Sequence, residues 1–144
     1  MPTVMTDTVR LPLLTFRLGE GRYALLIEDV VEVAAMVDRL NLPTERAEIL
    51  GYINRRGSIL PLVDLRLVFK QPSAPITSAS VFIVVAGGSQ QLGLVVDQVE
   101  QVEYVDALQM SDTSASSTYL HGIISHQNEM ISLIALPSLM MLAQ

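Results

Sequence analysis

The apolar residues of this 144-residue chain fall into short runs separated by turn-forming residues, a spacing that favours strands over helices. Each run holds about five to seven residues rich in Val, Ile and Leu, with Gly, Pro, Asn or Ser between the runs. Residues 14–18 alternate between apolar and polar side chains, Gly19-Glu20-Gly21 offers a turn, and residues 23–27 form the next run. The pattern predicts about ten short strands, many of them joined as hairpins.

The strands fall into two sets because the sequence repeats itself. Residues 24–33 resemble residues 93–102, and residues 51–65 resemble residues 122–136 at nearly the same offset. Two matches in the same order indicate a duplication with about five strands in each copy. Five short strands suit a small closed barrel, and two such barrels would gain stability by burying apolar surface against each other. The repeat predicts a mainly β fold of two packed or intertwined five-stranded barrels with short helices.

The two copies and a polar stretch between them set the expected boundaries. We expect a flexible N-terminus over residues 1–10 and a single domain over about residues 11–142. The first barrel would take about residues 11–70 and the second about residues 81–142. The sequence QPSAPITSAS is typical of a linker and occupies about residues 71–80.

Two segments carry helix signals. Thr44 is a suitable cap for two helical turns over residues 44–50, and Gly51 would end them. Pro137 suits the start of a short helix that runs to Met141. Both predicted helices are short, so strands dominate the expected fold.

Composition argues against several functional classes. The chain has no cysteine, which removes disulfides, thiolate nucleophiles and zinc-cysteine sites. Its net charge of −6 and pI of about 4.7 argue against nucleic acid as a partner. Apolar runs such as residues 81–86 are far shorter than the roughly 18 residues of a membrane span, and residues 1–14 lack the features of a secretory signal. We therefore expect a cytoplasmic protein without direct membrane insertion.

The titratable residues form no evident catalytic or metal-binding motif. Glu28, Asp29 and Glu32 could hold a cation, but solvated carboxylates at the end of a strand are the commoner explanation. His121 and His126 flank an apolar run and are expected on opposite faces, as surface histidines; a neutral imidazole acting as general base stays open. Phosphate-loop and nucleophile-elbow motifs are absent from the sequence. We expect no enzyme, no cofactor and no resident metal.

The two copies differ most in charge. The first copy reads Asn-Arg-Arg-Gly over residues 54–57, whereas the second reads Ser-His-Gln-Asn over residues 125–128. A second difference lies about ten residues further along: the first copy has Asp64 and Arg66, where the second has Ala135 and Pro137. Packing requirements would be shared by both copies, so a charged segment present in only one of them is a candidate for recognition.

Residues 54–57 join two apolar runs and allow two interpretations. One is a hairpin turn with Gly57 at positive φ and both arginines merely solvated. The other is a protein interface, because arginine is favoured as an interface anchor. Adjacent residues of a turn point in different directions, so only one of Arg55 and Arg56 would face a partner. Both interpretations indicate binding or structure rather than catalysis.

Residues 51–57, Gly-Tyr-Ile-Asn-Arg-Arg-Gly, and residues 59–66, Ile-Leu-Pro-Leu-Val-Asp-Leu-Arg, closely resemble the signature of CheW-like domains. Further segments follow in that family's order and spacing: residues 23–33, 42–43 and 92–99. The resemblance covers about residues 11–142. It implies two five-stranded SH3-like barrels that form an adaptor without catalysis.

The resemblance also implies partners. Members of the family couple the cytoplasmic tips of chemoreceptors to a CheA-type histidine kinase, and they contact other CheW-like domains. Such an adaptor would be cytoplasmic and recruited to membrane receptor arrays. Carried over by motif position, the partner-binding residues would be Val30, Glu32, Gly51, Asn54, Arg56 and Asp64.

The sequence departs from the family pattern at a few positions. Arg55 stands where an aliphatic residue is usual, and Ala135 and Pro137 stand where an acidic residue and a regular helix are usual. These departures suggest an accessory pathway, for instance one that controls pili or surface behaviour. Two alternatives stay open: a scaffold or antagonist that binds one partner only, and a small-molecule sensor with a pocket between the barrels near Tyr23 or Tyr104.

Overall fold

The computed structural model describes residues 9–40, 46–72, 74–112 and 117–143. Its strands are β1 (Arg10–Leu18), β2 (Gly21–Leu26), β3 (Val30–Ala35), β4 (Ile49–Arg55), β5 (Ser58–Asp64), β6 (Val81–Gly87), β7 (Gln90–Val96), β8 (Gln98–Asp106), β9 (Met110–Asp112), β10 (Leu120–His126) and β11 (Glu129–Ile134). Its α-helices are α1 (Leu65–Val68) and α2 (Leu136–Met140), and short 3-10 turns cover Ile27–Asp29, Ala107–Gln109 and Met141–Ala143. The mainly β prediction is confirmed.

The strands form two sheets with the same internal order. One sheet has the order β3-β6-β7-β5-β4, and the other has the order β8-β1-β2-β11-β10-β9. Neighbours are antiparallel except for two parallel pairs, β5 with β7 and β11 with β2. The strands of the two copies correspond in chain order: β1 to β5 of the first copy match β6, β7, β8, β10 and β11 of the second. If each strand is replaced by its counterpart, the order of the first sheet becomes that of the second, which has β9 as an additional edge strand. The duplication predicted from the sequence is therefore present in the topology.

The two copies exchange their first hairpins, so the sheets do not follow the boundaries predicted from the sequence. The hairpin β1–β2 lies in the sheet built mainly from the second copy, and β6–β7 lies in the sheet built mainly from the first. In the described parts of the chain, the strands of residues 11–70 are divided between both sheets, and so are those of residues 81–142. The intertwined form of the prediction is the correct one. Alternation defines which face of a strand is buried, but it does not specify the neighbouring strand.

Exchange of the hairpins explains why their strands are apolar on both faces. Phe82 packs inside the five-stranded barrel with Ile53, whereas its neighbour Ile83 belongs to the core shared by the two barrels. In the other barrel, Leu13 lies in the interior and Leu14 in the shared core. Successive side chains point to opposite faces of a strand, so one face fills a barrel and the other joins it to its partner barrel.

The two helix predictions have different outcomes. Residues 41–45, including Thr44, lie outside the described residues, but the helix predicted over residues 44–50 is wrong at its end because Ile49 begins β4. The backbone N–H of Asp64 donates to the carbonyl of Glu48 at 2.8 Å, so this segment pairs with β5 instead. Helix α2 has Pro137 in its first turn, as predicted.

The N-terminal prediction concerns residues that are largely outside the described ranges. Residues 1–8 are not described, whereas β1 already begins at Arg10. The backbone N–H of Ala107 donates to the carbonyl of Val9 at 2.9 Å. Arg10 is therefore part of the sheet, and Val9 is hydrogen-bonded to the segment that follows β8. None of the helices in the described ranges has the length and apolar character needed to cross a membrane.

Candidate partner-binding surface

The turn between β4 and β5 holds Arg56 at the tip of a tight hairpin. Arg55 pairs with Ser58, which leaves Arg56 and Gly57 as a two-residue loop with φ angles of 53° and 88°. Two consecutive positive φ values are typical of the type I′ turn that matches the twist of a hairpin. The side-chain oxygen of Asn54 accepts a hydrogen bond from the backbone N–H of Gly57 at 3.1 Å. Asn54 thus helps to hold the turn that presents Arg56.

The two adjacent arginines of this hairpin point in different directions, as expected. The side chain of Arg56 is 82% exposed, whereas that of Arg55 is 18% exposed. The Arg55 guanidinium donates a hydrogen bond to Glu32 and lies 5.8 Å from the centre of the Phe82 ring. Arg56 is therefore the arginine available to a partner, and Arg55 belongs to the barrel.

Glu32 lies on β3, at the opposite edge of the five-stranded sheet from the arginines. Its contact with Arg55 on β4 joins the two edge strands and, with the backbone bridge between Leu40 and Tyr52, closes the barrel. The hydrogen bond from Arg55 lowers the pKa of Glu32, with a smaller contribution from the charge of Arg56. A guanidinium nitrogen of Arg56 lies 4.0 Å from the same carboxylate. Glu32 and Arg56 therefore belong to one local surface.

Val30 and Gly51 contribute through packing and backbone shape. Val30 is half-buried at the start of β3, where it pairs with Val85 and packs against the shared core. Gly51 is buried in β4 opposite Leu62, at a register shift that follows Ile49. Gly51 has no side chain to offer a partner, so its position in the strand points to a structural contribution.

Asp64 is placed differently from the expectation that it binds a partner. It is only 3% exposed and accepts hydrogen bonds from Arg66 through both carboxylate oxygens, at 2.9 and 3.2 Å. One of these oxygens also accepts from the backbone N–H of Arg66 at the start of α1. The side-chain hydrogen bonds to Asp64 raise the pKa of Arg66 and outweigh burial, which lowers it. Asp64 is a structural residue of the interior, because it has almost no surface to present.

An ionic cluster in the six-stranded barrel was missed by the sequence analysis. Arg22, which is 8% exposed, contacts Glu100 at 2.9 Å, Glu129 at 3.1 Å and also Glu103. Burial raises the pKa of Glu100, but hydrogen bonds from Arg17 and Arg22 outweigh it, so the net shift is downward. The available signal was an arginine between Gly21 and Tyr23 in an otherwise apolar strand.

His126 takes part in the same cluster and occupies the position that the repeat assigns to Arg55. Its Nε2 lies 3.5 Å from a carboxylate oxygen of Glu103 on β8. The contact is analogous to that of Arg55 with Glu32. In the first copy the contact joins the β4–β5 hairpin to β3, and in the second it joins the β10–β11 hairpin to β8. His126 is therefore a partly buried structural residue and not the surface histidine that was expected.

Neither Tyr23 nor Tyr104 lines the cavity between the two barrels. Tyr23 packs in the shared core, 6.1 Å from the Phe16 ring and 5.0 Å from the Phe69 ring. Tyr104 is 59% exposed on β8. The cavity has a volume of about 450 Å³, with Asp29 among its lining residues.

Exposed apolar side chains accompany both second hairpins. Ile59 on β5 is 51% exposed, and Met130, at the equivalent place on β11, is 65% exposed. Val33 on β3 and Val102 on β8 are a second equivalent pair, 44% and 46% exposed. Exposed apolar groups beside polar ones are typical of protein interfaces. The duplication therefore provides two related surfaces on one molecule.

Comparisons with known proteins agree with this architecture. The chain is 29% identical to the probable chemotaxis protein CheW of Rhizobium etli, over 88% of this chain and 85% of that protein. It is also 29% identical to the chemotaxis protein CheW of Klebsiella aerogenes, over 93% and 84% of the two chains. The crystal structure of the scaffolding protein TtCheW from Thermoanaerobacter tengcongensis has a TM-score of 0.80 and 31% identity, with coverage of 88% and 89%. The CheW-like domain model matches residues 12–144, and the chain therefore belongs to the family of CheW-like domains.

Proposed function

We propose that this chain is a non-catalytic adaptor that couples the cytoplasmic tips of chemoreceptors to a CheA-type histidine kinase. The names of its relatives, chemotaxis protein CheW and scaffolding protein TtCheW, support a coupling role, and the chain spans most of their length. The observation that carries the proposal is the β4–β5 hairpin, which presents an exposed arginine on a tight turn beside an exposed apolar residue, Ile59.

A coupling role needs two binding surfaces, and the duplicated fold offers them. The surface around Arg56 and Ile59 belongs to one barrel, and the surface around Met130 belongs to the other. Arginine is enriched among residues that dominate binding free energy, so the first surface is the better candidate for the tighter contact. We assign Arg56 and Glu32 to partner recognition at this surface, with Val30 as an apolar neighbour on β3 and Asn54 as the residue that holds the turn.

The proposed location follows from the proposed partners. The protein would act in the cytoplasm and be recruited to membrane receptor arrays through the receptor tip and the kinase. Its contact with the kinase would be made between CheW-like domains. The departures at Ala135 and Pro137 support an accessory pathway, such as one that controls pili or surface behaviour, and would alter the second copy more than the first.

Separate and joint binding measurements test the proposal. The purified chain is titrated by calorimetry with the cytoplasmic fragment of a chemoreceptor and, separately, with a CheA-type kinase, both encoded in the same genome. We expect each to bind, and we expect a mixture of all three to elute as one complex from a sizing column. Binding of only one partner would identify a single-partner scaffold instead. Binding of neither would overturn the adaptor proposal.

A further inference from the structure

A cavity of about 450 Å³ lies between the two barrels. Leu26 and Ile134 of the six-stranded sheet line it on one side, and the turn at Gly87 and Gly88 of the five-stranded sheet lines it on another. Its apolar lining also includes Leu136 and Met140 of α2. Polar groups enter at Asp29 and His121. The cavity is large enough for a small molecule, and its mixture of apolar walls with a few polar groups is typical of ligand sites.

The repeat shows what fills the same place in the other half of the molecule. Leu65 of α1 and Gly19 of the β1–β2 turn occupy there the positions of Leu136 and Gly88. Arg66 corresponds to Pro137, which lines the cavity. The side chain of Arg66 is only 5% exposed. In the first copy an arginine therefore occupies the region that is an open cavity in the second copy.

Arg66 is held in that region by two carboxylates. Its guanidinium donates to Asp64 at 2.9 Å and to Asp97 at 3.4 Å. Asp97 also accepts from the backbone N–H of Gly19 at 2.6 Å. In the second copy Ala135 replaces Asp64, so both the arginine and one of its anchors are missing.

Acidic groups nevertheless persist at the cavity. Glu28 corresponds to Asp97 in the repeat, and the adjacent Asp29 lines the cavity itself. The described residues of the lining include no lysine or arginine. Burial raises the pKa of Asp29, and the neighbouring charge of Glu28 raises it further, although His121 acts in the opposite direction. A bound cation would relieve this unfavourable environment of the carboxylate.

We propose that the cavity binds a small organic cation that carries a guanidinium group on a short alkyl chain. The guanidinium would pair with Asp29, as Arg66 pairs with its carboxylates in the other copy, and the alkyl chain would pack against Leu26, Leu136 and Met140. A planar guanidinium suits a carboxylate better than a compact ammonium does, because it offers paired donors. None of the lining residues belongs to the β4–β5 hairpin, so this site is independent of the proposed adaptor surface.

The test uses n-butylguanidinium as the probe and n-butylurea, its uncharged analogue of similar shape, as the control. Titration of the intact chain is followed by ¹H–¹⁵N correlation spectra, with the amides of Gly87 and Gly88 as reporters. We expect saturable shifts at these amides with the guanidinium and binding weaker by about tenfold or more with the urea. Equal binding of the two, or no saturable shift with the guanidinium, would overturn the proposal.

Two variants locate the site. Asp29→Asn keeps the shape of the side chain and should weaken binding of n-butylguanidinium by about tenfold or more while it leaves the far-ultraviolet circular dichroism unchanged. The double variant Ala135→Asp with Pro137→Arg should fill the cavity with its own ion pair and abolish binding. Unchanged affinity in Asp29→Asn would show that the probe binds elsewhere and overturn the proposal, whether or not the double variant folds. An arginine-bearing peptide that binds while the free probe does not would also count against a small-molecule site.

Discussion

Glu32 on β3 and Arg55 on β4 form an ion pair that joins the two edge strands of the five-stranded sheet. These strands are not hydrogen-bonded neighbours, so the pair links them through side chains, and a backbone bridge between Leu40, beyond β3, and Tyr52 of β4 adds to the closure of the barrel. The Arg55 guanidinium also lies over the ring of Phe82, which belongs to the barrel interior. Arg55 lies in the predicted recognition motif, but its contacts belong to the structure of the barrel.

Arg55→Glu should destabilise the protein, because it places a second carboxylate beside Glu32 and removes the contact with Phe82. We expect the free energy of unfolding to fall by on the order of 2 kcal/mol, measured by urea denaturation. Arg56→Glu makes the same charge change one residue away and serves as the control. Equal stability of the two variants would show that Arg55 does not help to hold the barrel closed.

Arg56→Glu should affect binding and not folding. Arg56 is largely exposed, so the free energy of unfolding should change by no more than about 0.5 kcal/mol. The affinity for the kinase or the receptor should fall by about tenfold or more, since an anchoring arginine is lost. Calorimetric titration measures this, with Lys70→Glu as a control because Lys70 is an exposed cation outside the hairpin. An equal loss in both variants would indicate general electrostatic attraction instead of specific recognition.

Arg66→Met should destabilise the protein strongly, since it leaves the buried carboxylate of Asp64 without its charged partner. Removal of one member of a buried ion pair costs on the order of 3 kcal/mol. Addition of Asp64→Leu to the same chain should recover part of that loss, because no unpaired charge then remains. Urea denaturation of the single and double variants measures both effects. A double variant less stable than Arg66→Met would contradict this account of the pair.

The ionic cluster should make folding sensitive to acid. The pKa of Glu100 is lowered in the folded state by Arg17 and Arg22 despite burial. The ionised Glu100 side chain therefore contributes fully to stability above the pKa of glutamate in the unfolded chain, about 4.3. This contribution is lost as the pH falls through the lower pKa that Glu100 has in the folded state. Glu100→Gln should reduce the dependence of the unfolding free energy on pH below about 4.3. Urea denaturation between neutral and acidic pH measures this, and an unchanged dependence would exclude Glu100 as a source of acid sensitivity.

Part of the candidate site could be predicted from sequence because it depends on local structure. Gly57 between two apolar runs predicts a tight turn, and a tight turn separates the directions of Arg55 and Arg56. The burial of Asp64 could not be predicted, because its neighbours along the chain do not show whether it faces water. Its burial depends on the packing of its strand and on Arg66, which also meets Asp97 from a distant part of the chain.

The distinction between local patterns and contacts from distant parts of the chain also holds for the whole molecule. The sequence by itself determined the strands, most of their turns and the presence of two copies, because alternation and turn residues act over a few neighbouring positions. Only the tertiary structure decided that the copies exchange their first hairpins, since alternation orients a strand without choosing its neighbour. It also decided that the place filled by Arg66 in one copy is an open cavity beside Pro137 in the other. Both outcomes depend on contacts between segments far apart in the chain, which no local pattern specifies.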